Sequence, residues 1–205
     1  MKFNAWLNSH LGANVRYNKS TSGYQCVDLI KSLLVEVDTF KFYDKYPTLQ
    51  NSWAWGNARD FYEGFKNHKE LTSHFKRIPN TPSFKPIEYD ICIFTEGNKL
   101  GHICVAYDNS STTKRIYSAD QNYPTGSKVH KTSHTYDSEG FLGVLRPTRT
   151  IKADVNVRVG PGTNYACTGE IKKGSKVDII DISLNGKWAN LGDNRWISYN
   201  YVEAL

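Results

Sequence analysis

Among the four cysteines of this chain, at positions 26, 92, 104 and 167, Cys26 has the setting a nucleophile needs. From Gln25 onward the apolar residues Cys26, Leu29, Ile30, Leu33 and Val37 recur at the helical period, with Val27 and Leu34 widening the stripe. Asp28, Lys31, Ser32 and Glu36 fall on the other side. Ser20, Thr21 and Ser22 offer N-caps, and Gly23 permits a sharp approach to the helix. Cys26 is therefore expected in the first helical turn, beside unpaired backbone N–H groups and the positive end of the helix dipole. A thiolate, the nucleophilic form, is stabilised there. A buried structural thiol is the competing reading, and the helix alone does not choose between the two.

A cysteine nucleophile requires a base, and the base requires an orienting partner. Of the histidines at 10, 68, 74, 102, 130 and 134, His102 stands apart because it opens an apolar, strand-like run directly after Gly101. The plain reading of such a residue is a partly exposed polar group at a strand end. Yet the next strand ends at Asp120-Gln-Asn, which in a meander brings Asp120 or Asn122 alongside His102. A carboxylate or amide accepting from the imidazole N–H would fix its tautomer and favour the imidazolium. Helix-borne Cys, strand-borne His and a polar residue on the following strand are similar in order to the papain-like plan.

The remaining cysteines read differently. Cys92 and Cys104 sit in apolar, strand-like runs as small core residues, and Cys167 lies far away near the C-terminus. No C-x-x-C pair occurs, and the spacings suggest neither a structural zinc site nor a disulfide framework.

The elements that must position these groups follow the chain in order. Residues 1–19 read as a short amphipathic helix, with Ala5, Trp6, Leu7 and Leu11 on one side, followed by a polar loop. After the Cys26 helix an aromatic and charged connection runs to Pro47. A second helix follows, with Ala54, Ala58, Phe61, Tyr62 and Phe65 on its inner face. Trp53 and Trp55 precede it as packing residues. From Phe75 the helical period stops, and Pro79, Pro82 and Pro86 mark an extended loop. Strands are then expected at Asp90–Thr95, Gly101–Tyr107 and Lys114–Ala119, with turns at Glu96–Lys99 and Asp108–Thr113. A polar, poorly patterned stretch fills Tyr123–Glu139, and Phe141–Arg146 closes the sheet. Helices first and an antiparallel meander afterwards give an α+β fold. Arg146–Thr150 reads as a tight linker. The rest, with short strands at Val155–Arg158, Gly169–Ile171, Lys176–Ile180, Lys187–Leu191 and Arg195–Ser198, suits a small β-barrel.

With 205 residues the chain is long enough for one ordinary domain and a small second one. It is 39% hydrophobic and 22% charged, the composition of a folded soluble protein, and no apolar run approaches membrane-spanning length. Insertion into a membrane is therefore not expected. The first ten residues lack the apolar core of a signal peptide. Any action outside the cell would need release by another route. The net charge of +6 favours an acidic partner, either nucleic acid or an anionic surface such as a bacterial envelope. No zinc-finger spacing, basic helix or RNA-binding aromatic motif supports nucleic acid.

Five segments, Tyr24-Gln-Cys-Val-Asp-Leu, Trp55-Gly-Asn-Ala-Arg-Asp, Asp90-Ile-Cys-Ile-Phe, Gly101-His-Ile-Cys-Val and Asp120-Gln-Asn, together resemble the CHAP family of cysteine, histidine-dependent amidohydrolases/peptidases. They occur in that family's order and span residues 1–147. Val155-Asn-Val-Arg-Val-Gly-Pro-Gly-Thr-Asn-Tyr, the following Gly169-Glu-Ile-Lys-Lys-Gly-Ser-Lys-Val and the ending Trp188…Arg195-Trp-Ile-Ser-Tyr-Asn-Tyr-Val resemble the bacterial SH3-like domain, over 151–205. The pairing is similar to a bacteriophage endolysin. Such an enzyme would wait in the host cytoplasm until a holin opens the membrane.

The resemblance implies that Cys26 is the nucleophile and His102 the general base and acid. Asp120 stands where the family commonly has Glu, and Asn122 matches a polar neighbour of the site. Which of the two orients His102 stays open, because Asp reaches one methylene less far. Tyr24, Gln25 and Trp55 fall beside the implied substrate. Tyr89 departs from the family, which usually has Gly before the Asp90 strand. Some relatives bind calcium just before the Cys, but Tyr17–Gly23 carries Lys19 there, so no metal and no cofactor are expected. The implied partner is bacterial peptidoglycan, bound through Tyr165, Tyr199 and Tyr201 of the C-terminal domain, with Trp188 and Trp196 as barrel core. The chain is expected to be a monomer. The implied reaction is hydrolysis of an amide, either N-acetylmuramoyl–L-alanine or a peptide link. A host autolysin and a non-catalytic wall-binding or scaffold protein with a decayed hydrolase fold are the alternatives. Retention of Cys26, His102 and Asp120 together argues against decay.

Overall fold

The computed structural model of the chain describes residues 2–17, 24–38, 57–95, 100–136 and 140–203. They gather into two compact units, one reaching Arg146 and one beginning at Pro147. Both mix short elements with antiparallel sheets, and no described helix is long and apolar enough to cross a membrane. The candidate N-caps Ser20, Thr21 and Ser22, the Lys19 stretch, Trp53, Ala54, Trp55 and the turn at 96–99 lie outside the described residues.

Among the described residues the first unit carries four α-helices, α1 (Phe3–His10), α2 (Cys26–Glu36), α3 (Ala58–Glu63) and α4 (Lys69–His74), and six strands. The strands are β1 (Phe75–Pro79), β2 (Ile91–Phe94), β3 (His102–Ala106), β4 (Arg115–Asp120), β5 (His130–Thr135) and β6 (Phe141–Pro147). They form one sheet in the order β1-β6-β2-β3-β4-β5. Strand alternation divides the buried side chains into two sets. Ile91, Ile93, Ile103 and Val105 pack with Leu29, Ile30, Leu33 and Leu34 of α2, Trp6 of α1 and Phe61 of α3. Cys92, Phe94, Cys104 and Ala106 point the other way and pack with Ile116, Tyr136, Phe141 and Val144. Both faces are therefore dry at β2 and β3, which explains their unbroken apolar runs.

The first unit departs from the sequence reading at four places. Phe75–Pro79 is an edge strand rather than part of a loop, and Pro79 sits at its end, where no ladder N–H is needed. Gly143, at φ +138°, lets β6 approach it, since a Cβ there would lie 2.2 Å from the Ile78 carbonyl oxygen. The polar stretch after Tyr123 contains β5, the opposite edge, whose six residues all pair with β4. Its side chains are mostly half exposed, so hydrophobic periodicity does not report it. Phe141–Pro147 leaves the meander and pairs with β2. In α1, Phe3 joins Trp6 and Leu7 in the core, while Leu11 is exposed.

Tyr89 has φ +73°, a conformation that suits Gly and strains a bulky residue. It is held there by a full set of contacts. Its ring meets Phe3 edge-on at 4.7 Å, and its hydroxyl donates to Asp38 at 2.7 Å.

A buried ion pair ties β6 to the start of β2. Arg146 donates from Nε to Asp90 Oδ1 at 2.9 Å and from Nη2 to Asp90 Oδ2 at 2.6 Å, and the Ile87 N–H also reaches Oδ2 at 2.9 Å. Asp90 is wholly buried and Arg146 nearly so.

The second unit holds a two-stranded ribbon of β7 (Arg149–Thr150) and β10 (Lys176–Val177). Its five-stranded sheet runs β11 (Asp181–Ile182), β12 (Trp188–Asn190), β13 (Trp196–Ser198), β8 (Val155–Arg158), β9 (Cys167–Ile171). Val155, Val157, Ile182, Ala189 and Ile197 supply its core. Trp188 and Trp196 are only half buried, so the core is aliphatic rather than built on tryptophan.

Replacing Arg146 by Ala strands the Asp90 carboxylate without its partner. The expected loss is about 3–5 kcal/mol of stability, read from the denaturant midpoint. A loss under about 1 kcal/mol would mean that Asp90 finds other partners or water.

Candidate active site

The helix that carries Cys26 starts with Cys26 itself. Its N-cap is Gln25, whose backbone N–H donates to Asp28 Oδ2 at 3.0 Å, while the Asp28 N–H returns to the Gln25 carbonyl. This is why Asp28 is buried, although its place in the helical pattern is on the polar side. Burial holds its carboxyl above the usual range, against the smaller opposing pull of the Gln25 N–H. Cys26 is half buried, whereas Cys92 and Cys104 are fully enclosed and Cys167 is exposed; all four thiols are free. The competing structural-thiol reading thus fits Cys92 and Cys104 rather than Cys26.

His102 begins β3 immediately after Gly101, and the glycine is required. At φ +70° a Cβ on residue 101 would lie 2.4 Å from the Phe94 carbonyl oxygen and press on Arg59. That close crossing lets the strand open where it does. His102 is nearly buried, and Cys26 lies near enough to favour its charged form. Its Nε2 lies 3.4 Å from Asp120 Oδ2, an ionic contact longer than a formed N–H···O bond.

Asp120, Gln121 and Asn122 at the end of β4 take three separate tasks. Asp120 faces His102. Gln121, wholly buried, accepts the Val15 N–H at 2.6 Å and donates to the Val15 and Gln25 carbonyls at 2.8 and 2.9 Å. Asn122, in the left-handed region at φ +63°, donates to Gln25 Oε1 at 3.1 Å and accepts the Gly126 N–H. The geometry therefore gives the contact with His102 to Asp120, while Asn122 grips the residue before Cys26. Gln121 locks the same residue through its backbone.

A fourth group belongs to the site and was not singled out from the sequence. His134 of β5, fully buried, meets Asp120 Oδ2 through Nε2 at 2.5 Å. The register Ile116↔His134 and Asp120↔His130 places it four residues along β5 from the residue opposite Asp120. No motif pointed to it, because its strand is polar and lies on the sheet edge. The ring of Tyr123 lies against both imidazoles, at 4.8 Å from His102 and 4.9 Å from His134, and Phe94 lies 4.9 Å from His134.

Charge follows from this enclosure. Burial on its own would push both imidazoles down. Contacts with Asp120, Cys104 and Cys26 hold His102 well above the usual histidine range, and Asp120 and Cys104 do the same for His134. Burial would push Asp120 up, but the two imidazoles outweigh it and hold the carboxyl below its ordinary value. The arrangement is a half-exposed thiol near an imidazole whose cationic form a buried carboxylate favours, so a proton arriving on nitrogen is stabilised there. It can transfer a proton from sulfur to nitrogen and return it to a leaving group.

The other candidate residues are placed as follows. Tyr24 is exposed beside the site, with the Arg16 guanidinium 4.6 Å over its ring. Gln25 serves the frame described above, and Trp55 lies outside the described residues. In the second unit a groove of about 250 Å³ is walled by Asp154, Arg158, Trp188, Ser198 and Tyr201 among others. Tyr201 therefore faces it, and Trp188 joins it. Tyr165 is exposed but packs against Gly160, and neither it nor Tyr199 belongs to the groove wall.

No protein-family model matches the sequence, and no curated protein matches it. Among solved structures, the chain is similar to the crystal structure of a wild-type endolysin, LysIME-EF1, at 24% identity over 70% of this chain and with a TM-score of 0.53. The match takes in 62% of that endolysin's chain, so this chain spans less than two thirds of it. The likeness is one of fold. A crystal structure of Ly7917 aligns over 98% of this chain and 95% of its own, at 15% identity and a TM-score of 0.47. At that score it carries no argument.

The shared carboxylate sets a pH window. Asp120, lowered in the folded state, contributes stability that is present above its unfolded value of about 3.9 and fades as pH falls. The raised histidines contribute fully below about 6.5 and lose that contribution as pH rises through their folded values. Asp120→Asn removes the charge but not the burial. The His102 ring resonance in NMR should then titrate at lower pH than in the wild type; an unchanged or higher titration would show that Asp120 does not sustain the imidazolium.

Proposed function

We propose that this chain is a peptidoglycan hydrolase of the endolysin type, with residues 1–147 a CHAP catalytic domain and 151–205 a bacterial SH3-like wall-binding domain. The observation that carries the reading is the Cys26–His102–Asp120 series. A half-exposed thiol at a helix start lies near a buried imidazole that a carboxylate backs. The five CHAP-like segments supply these residues in order, and the fold shared with the endolysin LysIME-EF1 is in keeping with it.

In this reading His102 takes the Cys26 proton, and the thiolate attacks an amide carbonyl of the wall. The carbonyl oxygen becomes an anion within reach of the N–H groups of Cys26 and Val27, which have no intrahelical acceptor at the first turn. The imidazolium, sustained by Asp120, protonates the leaving amine. Water then hydrolyses the thioester with His102 as base. The substrate amide is N-acetylmuramoyl–L-alanine or a link in the stem or cross-bridge peptide. The groove at Trp188 and Tyr201 offers the second domain an aromatic wall and both charges, Asp154 and Arg158, for a peptide or glycan.

Two measurements test the two halves. Cys26→Ala should abolish turbidity loss of washed Gram-positive cells while the protein still sediments with their walls; lysis by the variant sinks the nucleophile. In the Cys26→Ala background, Tyr201→Ala should weaken that sedimentation by about 1 kcal/mol or more of binding, as loss of an anchoring aromatic does. Unchanged binding would move the wall contact away from the groove.

A further inference from the structure

We propose that His102, Cys104, Asp120 and His134 form a transition-metal site of Zn²⁺ type, and that its occupancy silences the candidate active site. The silencing rests on the reading of His102 as the base; the binding does not.

The geometry comes from the sheet. His102 and Cys104 are two apart on β3, so their side chains leave the same face. The register Val105↔Ala119 and Ala106↔Ser118, continued by one pair, sets Asp120 opposite Cys104. His134 reaches in from β5 beyond it. One ligand atom from each of the four lies within 4.8 Å of all the others, and all four residues are buried. Zinc holds Cys sulfur, His nitrogen and carboxylate oxygen at about 2.0–2.3 Å in a tetrahedron, whose edges are then roughly 3.3–3.7 Å. The His102 Nε2 to Asp120 Oδ2 separation of 3.4 Å already matches such an edge. The His134 contact at 2.5 Å has to open by about 1 Å.

A second observation points to a ligand. His102 Nε2 and Asp120 Oδ1 are buried with no hydrogen-bond partner among the described residues. Such atoms cost about 1–3 kcal/mol each when left unmet, and a cation bound by this nitrogen and this carboxylate would satisfy them. Nitrogen, thiolate and carboxylate together select zinc-like ions over calcium or magnesium, which take oxygen alone. Phe94 and Tyr123 close the cluster with apolar rings.

Binding replaces protons. The ion displaces the thiol proton of Cys104 and any proton on the two liganding imidazole nitrogens, which leave to solvent, so affinity rises with pH. With Nε2 on the metal, the other ring nitrogen of His102 keeps its proton and cannot take that of Cys26. Asp120 is drawn from its orienting task at the same time.

The test uses the full chain with Cys167→Ser, which removes the exposed thiol, titrated with Co²⁺ and competed with Zn²⁺. A thiolate-to-cobalt charge-transfer band with tetrahedral ligand-field bands is expected at one equivalent. It should persist in Cys26→Ala. In Cys104→Ala it should vanish, and in His134→Gln affinity should fall by roughly a hundredfold or more, with folding of each checked by circular dichroism. Turbidity loss should stop on adding stoichiometric Zn²⁺ and return with a chelator. No band, or a band lost in Cys26→Ala and kept in Cys104→Ala, overturns the proposal, the latter by placing the ion on the nucleophile. Metal binding in a chain that never lyses cells would instead sink the hydrolase reading and leave the site standing.

Discussion

A carboxylate enclosed in protein is tolerable only when opposite charge or donors meet it, and Asp120 is met by two imidazoles at one oxygen. That constraint propagates outward. It favours the cationic form of His102. It requires β4 to end where it does and β5 to lie beside it, since His134 comes from β5. Enclosure by Phe94 and Tyr123 keeps water from weakening the contact.

The same strand end joins the sheet to the helix. Gln121 and Asn122 both hold Gln25, one by its carbonyl and one by its side chain, so the start of α2 is pinned from the sheet rather than by its own cap alone. Three consecutive residues thus meet His102, the helix start and the loop around Val15. Gly101 completes the frame by allowing β3 to begin against Phe94 and Arg59. The Arg146–Asp90 pair is the analogous tie on the other side of β2, where it serves packing rather than chemistry.

Those parts of the molecule that announce themselves by hydrophobic pattern were legible in the sequence. The apolar stripe of α2, the dry runs of β2 and β3 and the strands at Val155–Arg158, Trp188–Asn190 and Trp196–Ser198 lie where periodicity set them, whereas the expected strand at 176–180 is cut to Lys176–Val177, Asp181–Ile182 forms another, and Arg149–Thr150, read as linker, is a strand. The edges were not legible. β1 and β5 are held by backbone pairing, and their half-exposed side chains carry no stripe. His134 was missed for the same reason, since its strand was invisible. Cys104 was read from its apolar neighbours as a core residue, which is true of its burial but silent about the imidazoles beside it. The choice between Asp120 and Asn122 needed side-chain direction, which spacing along one strand does not supply. Tyr89, out of place as a sequence letter, makes sense once its positive φ and its partners Phe3 and Asp38 are seen together.

The contacts that assemble the candidate site join separate elements: α2 with β3, β3 with the end of β4, and the end of β4 with β5. Helices form early and locally, whereas pairings of this kind close only when the intervening chain has been brought to order. No fragment carrying α2 by itself holds a thiol next to its imidazole. The juxtaposition of Cys26, His102, Asp120 and His134 is thus a property of the finished tertiary structure, absent from a nascent, truncated or partly unfolded copy.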